Sequence, residues 1–141
     1  DKIIIMTPDI IHGVDLLEID RFRKAARRWG DRFLSRIFTD SEITCYSSRP
    51  SSLASHFAAK EAVVKALGVK ILGWGHGTIK WHEIEILPDR EGKPIVYLHG
   101  KAEQMAKEMG LKELALSLSD TETLALASVI GVIGGRRSED C

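Results

Sequence analysis

Little in this sequence suggests a secreted, membrane-spanning or nucleic-acid-binding protein. Only two of the 141 residues are cysteine, Cys45 and the terminal Cys141, which form no disulfide framework or paired metal-ligand spacing, so a reducing, cytoplasmic compartment is expected. The 20 basic and 20 acidic residues give a formal net charge of zero, which argues against whole-molecule binding to nucleic acid or an anionic membrane. No stretch approaches the roughly 18 apolar residues of a membrane span, and a signal-peptide pattern is lacking.

The chain also lacks internal repeats, linkers and low-complexity segments. We therefore expect one domain over residues 10–133, preceded by an N-terminal extension, residues 1–9, and followed by a flexible tail, residues 134–141. Met6 is a candidate for the natural start, which would make residues 1–5 an addition from cloning. The glycines of residues 69–80 predict a mobile loop, but no G-K-S or G-K-T follows them, which excludes a P-loop.

Periodicity and turn residues predict an α+β fold with an antiparallel sheet packed against a long buried helix. Gly30 is expected to end the first helix, and Thr39 with Glu42 forms a capping-box pattern at the start of the second. The predicted strands cover residues 10–17, 81–87, 95–98, 114–119 and 124–132, and the predicted helices cover residues 20–29, 39–46, 52–67 and 101–109.

The stretch of residues 51–68, SSLASHFAAKEAVVKALG, is a helix former that is apolar on almost every side, which is typical of a buried helix. Glu61 and Lys65 lie one turn apart among small residues, so another group could approach them closely. Lys60 projects near an apolar stripe, where an unpaired charge would cost roughly several kcal/mol. These charges on a core helix suggest a functional site.

Asp15 is the corresponding anomaly on the first strand. Aspartate is disfavoured in strands, and Gly13, two positions earlier on the same face, is expected to leave space beside the carboxylate. The alternative is that Asp15 only caps the following turn. If Asp15 meets Glu61, two carboxylates without a His or Cys cluster favour Mg²⁺ over zinc, and Lys65 is suited to neutralise a phosphate oxygen. That combination predicts phosphoryl-type transfer.

A basic concentration covers one side of the first helix in a chain whose total charge balances. It is either a solvated face or a docking surface for an acidic partner, and the stacking aromatics of a single-stranded nucleic-acid site are absent from it. Its members are Arg21, Arg23, Lys24, Arg27 and Arg28.

Several motifs together resemble the holo-acyl-carrier-protein synthases, the short type of 4′-phosphopantetheinyl transferase. They are H-G-V-D-L-L-E-I-D-R, F-A-A-K-E-A-V-V-K-A-L-G, W-H-E-I-E-I followed by G-K-P, and S-L-S near the C-terminus. The match extends from about Ile10 to Val132. It implies Mg²⁺-dependent transfer of the 4′-phosphopantetheine group of coenzyme A to a serine of an apo-acyl carrier protein, releasing adenosine 3′,5′-bisphosphate.

The resemblance also implies residue roles. Asp15 and Glu61 would bind Mg²⁺, and with Lys65 they would be the catalytic residues; the proton of the serine would go to Glu61 or to a metal-organised water. The basic helix would dock the acidic carrier through Arg21, Lys24 and Arg28. Coenzyme A would contact Lys60, Lys65, His56, Gly68, Ser117 and Ser119. The resemblance further implies a homotrimer with the site at the subunit boundary, and a place in fatty acid biosynthesis.

Two residues depart from the family pattern. Asp120 stands where the S-x-S motif is usually followed by histidine, and His56 stands where arginine is common. The changes are expected to weaken coenzyme A binding by like-charge repulsion and by loss of a permanent cation. Asp120 supports an alternative hypothesis, in which the protein is a catalytically degenerate paralogue that binds coenzyme A or the carrier protein as a regulatory or scaffold subunit. A general nucleotide-binding module is disfavoured because no P-loop or dinucleotide fingerprint is present.

Overall fold

A computed structural model describes residues 2–3, 9–68 and 79–134. Its elements are β1 (Ile10–Glu18), α1 (Ile19–Ile37), α2 (Asp40–Tyr46), α3 (Pro50–Leu67), a 3₁₀ turn (Trp81–Glu83), β2 (Ile84–Pro88), β3 (Pro94–Leu98), α4 (Gly100–Glu108), β4 (Leu111–Asp120) and β5 (Leu124–Ile133). Most of the predicted loop and tail, and most of the predicted N-terminal extension, lie outside the described residues.

The strands β1 to β5 form two antiparallel sheets. The first has the order β1-β5-β4, and β2 and β3 form a separate hairpin. Because side chains alternate along a strand, each strand of the first sheet buries one row and exposes the other. The buried rows include Gly13 and Asp15 on β1, Ala127 and Val129 on β5, and Leu116 on β4. The predicted α+β class with an antiparallel sheet is confirmed.

Helix α3 lies against the buried side of the first sheet. Its small residues permit close packing, and the helix is buried on most of its circumference, as predicted. The alanines and aliphatics concerned are Leu53, Ala54, Ala58, Ala59, Ala62, Val63, Ala66 and Leu67. Gly68 ends the helix in the left-handed conformation, with φ of 68° and ψ of 30°. Because α3 lies in the core, the surrounding elements fix the positions of its charged residues.

The prediction that the first helix ends at Gly30 is confirmed in the local geometry. Gly30 has φ of 63° and ψ of −149°, which is not helical, so α1 consists of two helical segments joined by a kink, and the second segment runs to Ile37. The second segment was not predicted. Residues beyond the kink pack into the cluster formed around Phe22 and Phe38. Phe33 lies 5.8 Å from Phe22 between ring centroids. Burial of these rings stabilises the second helical segment, and the kink at Gly30 lies between the two segments.

The prediction of a strand beginning at Trp81 was wrong in its first turn. Residues Trp81–Glu83 form a 3₁₀ turn, and the strand starts at Ile84. The predicted capping box of α2 is confirmed, since Thr39 and Glu42 exchange hydrogen bonds between side chain and backbone. Among the described residues, no helix has the length and apolar character needed to cross a membrane.

Candidate active site

Gly13 brings strand β1 onto the backbone of α3. A Cβ atom at this position would lie 2.1 Å from the carbonyl oxygen of Ala62 and 2.7 Å from the amide nitrogen of Ala66. The expectation that Gly13 leaves space beside Asp15 was therefore wrong, because the helix backbone fills that space. The close approach instead presses Asp15, two residues further on the same face, against α3.

Asp15 and Glu61 lie close together, as expected if Asp15 belongs to a functional site rather than only capping a turn. The pKa of Glu61 is raised to about 8, first by burial and then by a hydrogen bond and charge repulsion involving Asp15, whereas Lys65 acts to lower it. When both groups are ionised neither can donate to the other, and Asp15 Oδ2 is buried without a partner in the described part of the chain. A proton on Glu61 would supply the missing donor. The two carboxyl groups thus form an electrostatically strained pair.

Lys65 reaches the same carboxylate from one turn further along α3. Its Nζ donates to Asp15 Oδ1 at 3.0 Å and to the carbonyl oxygen of Val14 at 3.0 Å. The Lys65 side chain is 57% exposed and that of Asp15 is 9% exposed, so a solvent-exposed ammonium meets a buried carboxylate. Asp15, Glu61 and Lys65, the three predicted catalytic residues, are therefore brought together within one chain.

The donor set fits Mg²⁺ in its chemistry. Mg²⁺ is commonly held by one or two protein carboxylates and completes its shell with water and substrate phosphates. Asp15 Oδ2 is buried and has no hydrogen-bond partner among the described residues, which leaves an oxygen ligand open beside Glu61. Within residues 2–3, 9–68 and 79–134, no group of three or more His, Cys, Asp or Glu could hold a metal, so a zinc-type cage is not found there.

Lys60 lies outside this group, in a buried ion pair. Its Nζ donates to Glu42 Oε1 at 2.7 Å, to the Ile84 carbonyl at 2.6 Å and to the Trp81 carbonyl at 3.2 Å. Burial lowers the pKa of Lys60, and the Glu42 carboxylate opposes that change. With no exposed surface and three acceptors already engaged, Lys60 does not fit the predicted contact with coenzyme A. The structure corrects that assignment.

Glu42 is the partner that sequence reasoning missed. Its Oε1 also accepts from the Thr39 amide at 2.9 Å and its Oε2 accepts from the Ile86 amide at 3.0 Å. The capping box predicted the local bond to Thr39, but nothing in the sequence indicated that the same carboxylate reaches α3 and β2. Glu42 and Lys60 therefore join α2, α3 and the hairpin.

His56 is also on α3, but it contacts other residues than Glu61 does. Its ring stacks on Tyr46 with 3.7 Å between centroids, and its Nδ1 faces the Ser52 carbonyl at 2.6 Å. Burial lowers the pKa of His56. It lines a cavity of about 180 Å³ with Ser119 and Asp120. His56 and Asp120, the two departures from the family pattern, thus line the same cavity as Ser119, a residue predicted to contact coenzyme A.

The sheet separates the predicted serines from the carboxylates of the same chain. Asp15 is paired with Ala127, and Ala127 with Leu118, so these three share the buried face. Ser117 and Ser119 alternate with Leu118 and are exposed. A single chain therefore brings Asp15 to Glu61 but does not bring Ser117 and Ser119 to them.

The basic side of α1 is exposed at all three predicted docking positions, Arg21, Lys24 and Arg28. Arg28 lies 5.0 Å above the ring of Trp29, whose surface is 60% exposed. Beside this face is a cavity of about 430 Å³. Its lining combines aromatic and basic side chains: Ala25, Trp29, Arg32, Phe33 and Arg36. The surface therefore offers positive charge next to an apolar hollow.

Residues 12–127 match the family model of the 4′-phosphopantetheinyl transferase superfamily. The chain belongs to this superfamily. It is similar to a holo-[acyl-carrier-protein] synthase of Herpetosiphon aurantiacus, at 45% identity over 87% of this chain and 98% of that protein. The predicted family and the prediction of an enzyme are confirmed.

Solved structures of relatives show the same fold. A Helicobacter pylori holo-[acyl-carrier-protein] synthase in complex with coenzyme A has a TM-score of 0.75 and 29% identity, covering 86% of this chain and 99% of that chain. A Plasmodium yoelii acyl carrier protein synthase with ADP bound has a TM-score of 0.78 and 29% identity, covering 90% and 97%. The fold of this phosphopantetheinyl transferase is thus shared with proteins that bind nucleotide-containing ligands.

Proposed function

We propose that the chain transfers the 4′-phosphopantetheine group from coenzyme A to a serine of an apo-acyl carrier protein in a Mg²⁺-dependent reaction. The products are the holo-carrier protein and adenosine 3′,5′-bisphosphate. The observation that carries the proposal is the convergence of Asp15, Glu61 and Lys65 in one acidic and basic cluster. We also propose that the protein acts in the cytoplasm and in fatty acid biosynthesis.

Each residue of the cluster has a separate task. Asp15 and Glu61 would hold Mg²⁺, which when bound supplies Lewis-acid polarisation of the phosphate and a template for the diphosphate. Lys65 neutralises a phosphate oxygen on the donor with its exposed ammonium. The serine proton goes to Glu61 directly or through a water. Without metal, the raised pKa of Glu61, about 8, keeps the carboxyl largely protonated at neutral pH, and a bound cation would favour the ionised form that can hold the metal and accept a proton.

The carrier protein is proposed to dock on α1. An acidic surface would meet Arg21, Lys24 and Arg28, and the exposed ring of Trp29 offers apolar contact beside them. Exposed charges of this kind act mainly on the rate of encounter, so carrier modification should weaken as ionic strength rises.

We further propose a homotrimer in which the outer face of the first sheet is covered. That face carries a row of exposed large hydrophobics, which in an isolated chain would be an unusual apolar patch. Its members are Ile10, Val14, Leu16, Leu124, Leu126, Ile130 and Val132. Ser117 and Ser119 stand on the same face, so association would place them against a neighbouring chain, which supports a site at the subunit boundary.

The test is a transfer assay read by the mass of the carrier. The protein is incubated with apo-acyl carrier protein, coenzyme A and Mg²⁺, and the expected product gains one phosphopantetheine group. Glu61→Gln should abolish the gain while the variant keeps its fold, and chelation of Mg²⁺ should abolish it in the native protein. Binding of both substrates without any gain in mass would favour the degenerate paralogue, which the presence of Asp120 beside His56 supports.

A further inference from the structure

Lys65 occupies the Asp15 carboxylate, which is one of the two proposed metal ligands. The contact is an ion pair of 3.0 Å to Asp15 Oδ1, supported by a second hydrogen bond to Val14. We propose that Lys65 competes with the metal for Asp15, and that the diphosphate of the donor relieves this competition by drawing Lys65 away. The inference rests on the proposed function, from which it takes the metal site and a diphosphate donor.

The competition follows from the positions of the two Asp15 oxygens. Oδ1 is engaged by Lys65, and Oδ2 is the buried oxygen that has no hydrogen-bond partner among the described residues. A divalent cation on Oδ2 would share one small carboxylate with the ammonium. The metal ion and the ammonium would then lie beside the two oxygens of one partly buried carboxylate, so their positive charges would repel each other strongly. The metal therefore favours arrangements in which Lys65 has left Asp15.

Lys65 is able to leave because it is the exposed member of the pair. Its side chain is 57% exposed, whereas Asp15 is 9% exposed and held by β1 against α3. Ion pairs with a solvated partner contribute little, so the rearrangement is not opposed by a large loss of free energy. Phosphate oxygens of a bound diphosphate offer the ammonium acceptors that replace Asp15 and Val14.

Lys65 then has two positions, and the diphosphate decides between them. Without diphosphate it opposes the metal at Asp15; with diphosphate it binds the ligand and no longer opposes the metal. By thermodynamic reciprocity, the metal must strengthen diphosphate binding by the same factor. An ammonium fixed in one place would instead weaken metal binding equally in both states, which gives a direct way to separate the two cases.

The experiment measures Mn²⁺ affinity by water-proton relaxation for the native protein and for Lys65→Met, each with and without saturating ADP. ADP supplies a nucleoside diphosphate but no pantetheine group to transfer, and protein-free blanks account for free Mn²⁺ and its ADP complex. Without ADP, the variant should bind Mn²⁺ about 5- to 10-fold more tightly than the native protein, within the usual range of coupling. With ADP, the two affinities should agree within about twofold on the same grounds.

Equal strengthening in both states, or no strengthening, would overturn the proposal, as would the lack of any Mn²⁺ binding by the native protein. The charge control is Lys107→Met, which removes an ammonium paired with Glu103 at 2.9 Å and should leave Mn²⁺ affinity unchanged. Lys65→Arg keeps a cation that can bind either carboxylate or phosphate and should retain the native dependence on ADP. Failure of the proposed function is separate, since it is read from the mass of the carrier.

Discussion

Replacing Glu61 by glutamine should stabilise the metal-free protein at alkaline pH. The pKa of Glu61 is raised to about 8 from the ordinary 4.5, first by burial and then by Asp15. The folded chain therefore binds the Glu61 proton more tightly than the unfolded chain does. This contribution to stability is fully present below pH 4.5 and is lost as the pH rises toward 8. Glutamine stays neutral across this range and keeps the stabilising state.

The magnitude follows from the difference between the two pKa values. At about 1.4 kcal/mol per pKa unit, a fully shielded carboxyl would lose about 5 kcal/mol across this range. Glu61 is only partly buried, so solvent screens the interaction, and about 1–2 kcal/mol is the expected net effect. Glu61→Gln should thus be more stable than the native protein by about that amount at pH 8.5 and nearly equal to it at pH 5.

Urea unfolding in the presence of a chelator, at one protein concentration across this pH range, measures the effect. The control is Glu103→Gln: pairing with Lys107 lowers the pKa of Glu103, so its removal should bring no gain at alkaline pH. Adding Mg²⁺ should stabilise the native protein more than the variant, because the variant lacks one proposed ligand. Parallel stability curves for the native protein and Glu61→Gln would refute the account of the carboxyl pair.

Other expectations concern the core, the donor site and the assembly. Lys60→Ala should lower the free energy of unfolding by about 3–5 kcal/mol because Glu42 is left buried without its partner, and a mild effect in urea unfolding would contradict the buried pair. Lys60→Met combined with Glu42→Leu should recover only part of that loss, because the amides of Thr39 and Ile86 lose their acceptor. Gly13→Ala should cost at least about 3 kcal/mol in the same assay, since its Cβ meets backbone rather than a movable side chain, and native stability would show that β1 and α3 can separate. Asp120→His should tighten coenzyme A binding in calorimetry by removing a carboxylate from the cavity beside His56; unchanged or weaker affinity would disprove the charge argument. Leu126→Asp should dissociate the proposed trimer in analytical ultracentrifugation, and an unchanged sedimentation mass would show that the apolar sheet face is not its interface.

Local patterns were sufficient for several elements. The buried character of α3, its end at Gly68 and the capping box at Thr39 depend on residues close in the chain, and all three are confirmed. The alternation of Ile84 and Ile86 likewise predicts their burial on one face of β2. Such features are visible in a sequence because helical and strand periodicity act over a few residues.

The segment after Gly30 and the turn at Trp81 show where local patterns fail. Gly30 interrupts the helix as its sequence signal predicts, but the helical segment that follows it, in which Phe33 packs against Phe22, was not predicted. The alternating residues from Trp81 predict a strand, but the chain makes a 3₁₀ turn before Ile84. In α1 the deciding contact comes from the tertiary core, which local propensity does not contain.

The composition of the candidate active site is visible in the sequence: an aspartate on a strand, and a glutamate with a lysine one turn later on a buried helix. Which charges come together there depends on tertiary contacts. The close contact at Gly13 brings Asp15 to Glu61 and Lys65, while the long-range bonds of Glu42 hold Lys60 away in the core. Adjacent residues on a helix point in different directions, so the surrounding elements separate the buried charge of Lys60 from Glu61, the proposed metal ligand.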